Sequence, residues 1–410
     1  EGSDEQEEYT ETVTLNSMVP LWKKQKSQIK EEEYNSFYEA KFHDYEAPLK
    51  VIHANMEGAV NYTALLFIPA HAGSEYYTKD YKKGLQLYCN GVLITDCCED
   101  LVPDCYAFVK GVVDSSDLSL NISREVLQQD RQLKAIAGGI EKKITAELGK
   151  MLEHERENYD KMFEAFGLTL KFGAYNNFGF KKDELKDLLL FRSSTRDKLI
   201  TLKEYVAAMK EGQTDIYYAC GSDYKTIAEM PQTELLRAKC YEMLYFKDSV
   251  DEFVVKVLGE YDGKKFRNIQ DGDLELNSEE EKAAVSEKKE QYKELSDYIK
   301  EKLGDKVSAV RFTDKLVTSA VCLSADGDIS LEMEKTFKAM RASSPMPVEA
   351  KKVLEININH PIAEKLKTYY DSDKETLDKY IKVLYGEARM LAGFDIEDAT
   401  EFTSVVNSLI

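Results

Sequence analysis

The sequence predicts a multidomain chain, α/β in its leading portion and α+β at its end, and three observations carry that expectation. Short runs rich in Val, Ile, Leu and Tyr alternate with segments whose apolar residues recur at helical spacing, so strands and helices share a core. A polar, acidic stretch without periodicity, Asn268–Lys282, divides the chain. Beyond it, a few strand signals are followed by two amphipathic helices. A length of 410 residues accommodates two or three domains. The expected division is 1–157, a large α/β unit; 158–267, a helical connector and a small α/β/α unit; 268–282, a linker; and 283–410, an α+β unit closing in helices.

Taken in order, Pro20-Leu21-Trp22 holds the single Trp, and Tyr34, Phe37, Tyr38 and Phe42 then predict a helix from Lys30 to His43. Strands are expected at Leu49–His53, Tyr62–Ile68, Leu85–Cys89 and Val92–Thr95. Asn90-Gly91 between the last two is a hairpin signal, because both residues tolerate positive φ. Leu101–Val109 reads as a short helix limited by Pro103. A long helix is expected from Ser123 to His154, with Gly138-Gly139 as the place where it would break, and helical pattern again from Asn158 to Phe191. Leu202–Met209, Thr233–Lys239 and Val250–Leu258 read as helices alternating with strands at Ile216–Cys220 and Glu242–Phe246. This predicts a small parallel sheet with helices on both faces.

Past the linker come a charged helix to Leu303 and strands at Val307–Thr313, Ala320–Ser324 and Val353–Asn359. Between the last two strands, Ile329, Met333, Phe337 and Met340 are spaced i, i+4, i+8, i+11 and fall within an arc of roughly 80° on a helix. Such a Met- and Phe-rich stripe is either core or an adaptable binding surface. The final helices, Asp373–Ala392 and Asp398–Leu409, are lined by Leu377, Ile381, Leu384, Ala388 and Leu391, and by Phe402, Val405, Val406 and Leu409. They either pack on the preceding sheet or pair with a second copy as a four-helix bundle.

Composition narrows the function. With 43% hydrophobic and 32% charged residues the chain can bury sizeable cores, and a formal net charge of −20 excludes a general nucleic-acid binder. No run of about 18 apolar residues occurs, so no membrane partner is expected. The acidic start EGSDEQEEYTETVTLNS lacks a Met, a basic region and an apolar core. It is read as the cut end of a longer protein rather than a signal peptide. Seven cysteines without framework spacing fit reduced thiols in a cytoplasmic protein, and five scattered His residues give no metal site. Asn61-Tyr-Thr and Asn121-Ile-Ser match the glycosylation pattern by chance. Cys220-Gly-Ser-Asp223 is too little for a phosphate loop, so no cofactor is expected in this chain.

One stretch carries more than its fold requires. Phe108–Gln129 runs from an apolar strand through an Asp- and Ser-rich turn into a helix capped by Ser123, with Arg124 at its first position. A cation is disfavoured at a helix N-terminus, so Arg124 either serves an external anion or pairs with Asp114, Asp117 or Glu125.

Leu118–Gln129 (LSLNISREVLQQ) closely resembles the catalytic loop of the ninety-kilodalton heat-shock chaperone family. Pro20-Leu-Trp22, Glu32-Glu-Tyr34 with Phe37-Tyr38, Leu66-Phe-Ile-Pro69, Phe108–Ser115 and Met209-Lys-Glu-Gly-Gln213 are similar to its other landmarks, in the same order. The resemblance covers Thr14 to Ile410 and is to the bacterial type, since the end Asn407-Ser-Leu-Ile410 has no acidic tail or retention signal. It implies the middle and C-terminal domains of a stress-response chaperone that hydrolyses ATP with Mg²⁺ in an N-terminal domain of its own. Arg124 would then contact the γ-phosphate when that domain docks, with Gln128 and Asn121 supporting it. It also implies unfolded or partly folded client proteins, bound at Trp22, Phe253, Ile329, Met333, Phe337 and Met340. Homodimerisation would run through Leu377, Ile381, Leu384, Leu391, Phe402, Val405, Val406 and Leu409. Phe253 stands where some bacterial members carry Trp, and Thr336 where Leu is common. The competing readings are a free-standing α/β enzyme with a pocket in Ile216–Leu258, and a scaffold without chaperone activity.

Overall fold

The computed structural model describes residues 19–118, 131–272, 286, 288–339 and 348–410. The chain forms two compact units, Glu1–Leu170 and Lys171–Ile410, a coarser cut than the four-part division expected above.

The first unit is built on a five-stranded sheet of order β1-β2-β5-β3-β4. The strands are β1 (Lys50–Met56), β2 (Tyr62–Ile68), β3 (Leu85–Cys89), β4 (Val92–Cys98) and β5 (Lys110–Ser115). Helix α1 (Glu31–Phe42) covers one face, where Tyr34, Phe37, Tyr38 and Phe42 meet Leu65 and Phe67. Strand alternation sends Tyr62, Ala64, Leu66 and Ile68 to the other face, which is equally buried. Helix α2 (Arg131–His154) runs unbroken through Gly138-Gly139, and the hydroxyl of Tyr62 lies where a side chain on Gly139 would sit. Its buried Leu133, Ile136, Ile140, Ile144, Leu148 and Met151 form one stripe. Asn90 and Gly91, at φ 51° and 82°, make the expected β3–β4 turn. The helix expected over Leu101–Val109 is two 3₁₀ turns, Glu99–Leu101 and Asp104–Tyr106. Pro103 caps the second and has no N–H to continue the first.

Helix α3 (Arg156–Gly179), whose backbone departs from helical geometry at Asn176, Asn177 and Phe178, replaces only the front of the helical stretch expected to Phe191. After the short α4 (Lys182–Leu185), Phe191 lies in strand β6 (Leu190–Ser193), which pairs with β7 (Leu199–Thr201). The run Leu188–Phe191 is apolar on both faces, and periodicity cannot separate helix from strand in such a run.

The second unit holds a six-stranded sheet of order β10-β11-β8-β9-β6-β7. Its elements are α5 (Leu202–Ala207), β8 (Ile216–Cys220), α6 (Tyr224–Ala228), α7 (Thr233–Ala238), β9 (Leu244–Phe246), α8 (Ser249–Leu258), β10 (Glu260–Tyr261) and β11 (Lys264–Asn268). The expected parallel sheet is in fact mixed: only β11, β8 and β9 run parallel, and antiparallel hairpins flank them. Ile227, Met230 and Leu236 pack on Tyr217, Ala219 and Tyr245, while Tyr218 on the opposite face reaches Glu252 of α8. Asn268, Ile269 and Gln270 are buried and Asp271 bridges to Ala325, so the start of the expected linker belongs to the fold.

A three-stranded sheet, β12 (Ala309–Thr313), β14 (Lys351–Asn357) and β13 (Val321–Asp326), follows in that order. One face meets α9 (Lys293–Leu303), α11 (Pro361–Ser372) and α12 (Lys374–Leu391) in a shared apolar core. Helices α10 (Leu331–Ala339) and α13 (Ala399–Asn407) complete the chain. Among the described residues no helix is long and apolar enough to cross a membrane.

Candidate functional site

The described part of the Phe108–Gln129 stretch is tethered at its base. Asp114, 4% exposed, accepts from Trp22 Nε1 at 3.0 Å and from the Gly91 amide at 3.2 Å, and Lys23 Nζ lies 3.1 Å from it. Ser115 Oγ donates to the Asn61 carbonyl at 2.7 Å, Asp117 accepts from the Asn61 amide at 2.7 Å, and Cys89 Sγ donates to the Leu118 carbonyl at 2.9 Å. Burying a carboxylate is costly unless its oxygens are hydrogen-bonded, and here they are. Asp114, one of the carboxylates that could pair with Arg124, is thus already committed to other partners. Arg124, Asn121 and Gln128 lie outside the described residues, as does Met340.

Trp22 corrects one expectation. It is 7% exposed, packs on Tyr88 at 4.9 Å and Phe37 at 6.0 Å, and offers a client no surface. Burial of the indole together with its N–H partner makes it a core anchor.

The remaining client-surface residues divide. Phe253 on α8 and Phe337 on α10 meet edge to face at 5.9 Å, and Tyr175 lies 5.5 Å from Phe253. All three keep part of their surface exposed. Met333 is 5% exposed, with Lys256 Nζ 3.2 Å from its sulfur, and Ile329 packs partly buried on the core of the three-stranded sheet. The stripe expected on one open helix face is therefore part core and part aromatic patch. Ser330 Oγ donates to Glu252 at 2.6 Å and Lys256 Nζ to the Asp328 carbonyl at 2.6 Å, fixing α10 to α8. Below them Lys171 bridges Asp248 at 2.9 Å and Asp251 at 2.6 Å. Burial pushes Asp251 up to about 6, although Lys171 opposes it. Tyr175 was missed in the sequence; its signal is the aromatic run Phe172, Tyr175, Phe178 and Phe180, of which Phe178 and Phe180 are fully or largely exposed.

The two closing helices also part company. Leu377, Ile381 and Leu384 are buried in the chain's own core, which corrects their assignment to an interface. Their stripe meets the sheet that precedes it, one of the two alternatives open in the sequence. Helix α13 has no buried residue at all. Phe402 rests against Gly386, while Phe402, Val405, Val406 and Leu409 stay half-buried and Leu391 is exposed.

In open α/β sheets ligands sit at the carboxyl ends of the parallel strands. Here that crevice, beyond Cys220 and Phe246, holds only about 40 Å³ and is closed by Met333 and Thr336 of α10. This crevice has room for water rather than a substrate.

The fold is that of a mixed α/β and α+β multidomain protein. A model of the family described as Hsp90 protein matches residues 2–410, and the chain belongs to that family. It is 49% identical over 401 residues, 98% of its length, to the chaperone protein HtpG of Halalkalibacterium halodurans. It is likewise 49% identical to that of Clostridium acetobutylicum over 100% of its length, and 48% identical to that of Bacillus subtilis over 98%. The chain spans 64–65% of the length of these relatives.

Proposed function

We propose that this chain is the client-binding and dimerising portion of an ATP-dependent molecular chaperone that acts in the cytoplasm. The carrying observation is its likeness, at 48–49% identity over nearly its whole length, to proteins named chaperone protein HtpG. The part of those relatives that it does not span would supply the ATPase domain, with ATP and Mg²⁺ as cofactors. Arg124 would enter that site as a cation stabilising charge on the transferring γ-phosphate, with Gln128 and Asn121 holding the loop.

The aromatic patch supports the client-binding half. Phe253 and Phe337 come from elements far apart in sequence yet meet in one partly exposed cluster, and Tyr175 extends it. Partly exposed aromatic and Met side chains bind apolar segments without demanding one sequence. Homodimerisation is assigned to α13 and Leu391, whose apolar surface the described residues cover only in part. The test is photo-cross-linking to an unfolded model client. Phe253→Glu/Phe337→Glu should lose most capture while keeping native circular dichroism, and undiminished capture would refute the assignment.

A further inference from the structure

We propose that the second unit carries an anion-binding cavity that takes a small phosphate-bearing solute. A cavity of about 350 Å³ is lined by Arg196 from the β6–β7 turn, Lys210 after α5, and Arg237, Cys240, Tyr241 and Glu242 from the end of α7 and the approach to β9. Its size falls within the roughly 300–1,000 Å³ typical of small-molecule sites.

The charges in it do not balance. Among the described residues Glu242 is the only carboxylate in the lining, and its oxygens are occupied by the Ser193 and Thr195 hydroxyls and by Arg196 Nη2 at 3.1 Å. Arg196 is held further by a bond from Nη2 to the Glu204 carbonyl at 3.1 Å. Its Nε and Nη1 groups donate to no described residue, so a fixed guanidinium keeps unused donors. Lys210 and Arg237, both exposed at the mouth of the cleft, form no ion pair with any described residue. One saturated carboxylate thus faces three cations, in a chain whose net charge is −20. Cations gathered in a cavity repel one another, and an anion with several acceptor oxygens relieves that repulsion.

The walls are built rather than loose. Tyr241 stacks on Tyr217 at 6.2 Å with planes 10° apart, and the loop turns at Cys240 with φ 54°, closed by a 2.9 Å bond from the Cys240 amide to the Arg237 carbonyl. Cys240 is the one exposed thiol of the seven, and it supplies a native reporter at the rim.

The site stands apart from the proposed chaperone function, and its failure would leave that function untouched. The experiment is calorimetric titration of the chain with inorganic pyrophosphate, joined to the rate at which iodoacetamide, a neutral reagent, labels Cys240. Saturable binding is expected, with pyrophosphate slowing Cys240 labelling. Lys210→Gln/Arg237→Gln should weaken the binding by about tenfold or more, as expected for lost charge-assisted bonds, while Lys203→Gln leaves it unchanged. Circular dichroism checks that each variant folds. No saturable heat at millimolar pyrophosphate, equal affinity in the double variant, or unaltered Cys240 labelling would each overturn the proposal.

Discussion

The carboxylate of Glu234 accepts hydrogen bonds from three successive amides, Val317, Thr318 and Ser319, and from the hydroxyls of Thr318 and Ser319. Burial alone would raise its pKa, but these donors outweigh it and hold the group at about 2, below its ordinary 4.5. Because the folded value lies below the unfolded one, the stabilisation is fully present above about pH 4.5 and is lost as pH falls toward about 2. Urea unfolding at pH 7 and pH 3 checks this: Glu234→Gln should be less stable than the parent at neutral pH and should lose less on acidification. An unchanged difference between the two pH values would contradict it. Nothing in the sequence around Glu234 marks it, since its partners lie more than eighty residues away. Trp22 was conspicuous for the opposite reason. A lone Trp reads equally as core or contact until its N–H partner, Asp114, is known.

At the scale of elements, an amphipathic stripe states that a helix must be covered but not by what. Leu377, Ile381 and Leu384 on α12 gave a clear stripe in the sequence, and the three-stranded sheet turned out to cover it. The shorter stripe of Phe402, Val405, Val406 and Leu409 on α13 looked the same, yet no sheet reaches it deeply enough to bury any of its residues. A helix with no buried residue gains little from tertiary packing, and isolated helices this short are marginal in water. A second copy would supply the missing surface. Val405→Glu/Val406→Glu is therefore expected to sediment as a monomer where the parent is a dimer, with α12 and the C-terminal core intact. A parent chain that is monomeric at all concentrations, or a double variant that still dimerises, would remove α13 from the interface. Hairpins such as β3–β4 were legible because Asn90-Gly91 encodes the turn itself. The flanking strands β7, β10 and β11 were not, because two to five residues carry too little period-two pattern.

For the whole molecule, family membership and the mixed architecture were legible because several separate landmarks fell in one order along the chain. The least legible part was how the landmarks divide between core and surface, as Trp22 and Met333 show, since that depends on neighbours distant in sequence. Arg124 is the opposite case: the resemblance of Leu118–Gln129 to the family's catalytic loop, rather than local pattern, singles it out. Under the proposed function, Arg124 would complete an ATPase site supplied by the portion of the relatives' length that this chain does not span. The direct measurement is ATP turnover and ATP affinity of the chain joined to the remaining portion of its relatives' length, with and without Arg124→Ala. Loss of most turnover, on the order of a hundredfold or more, with ATP affinity retained is the predicted result. Undiminished turnover in the variant would contradict the claim.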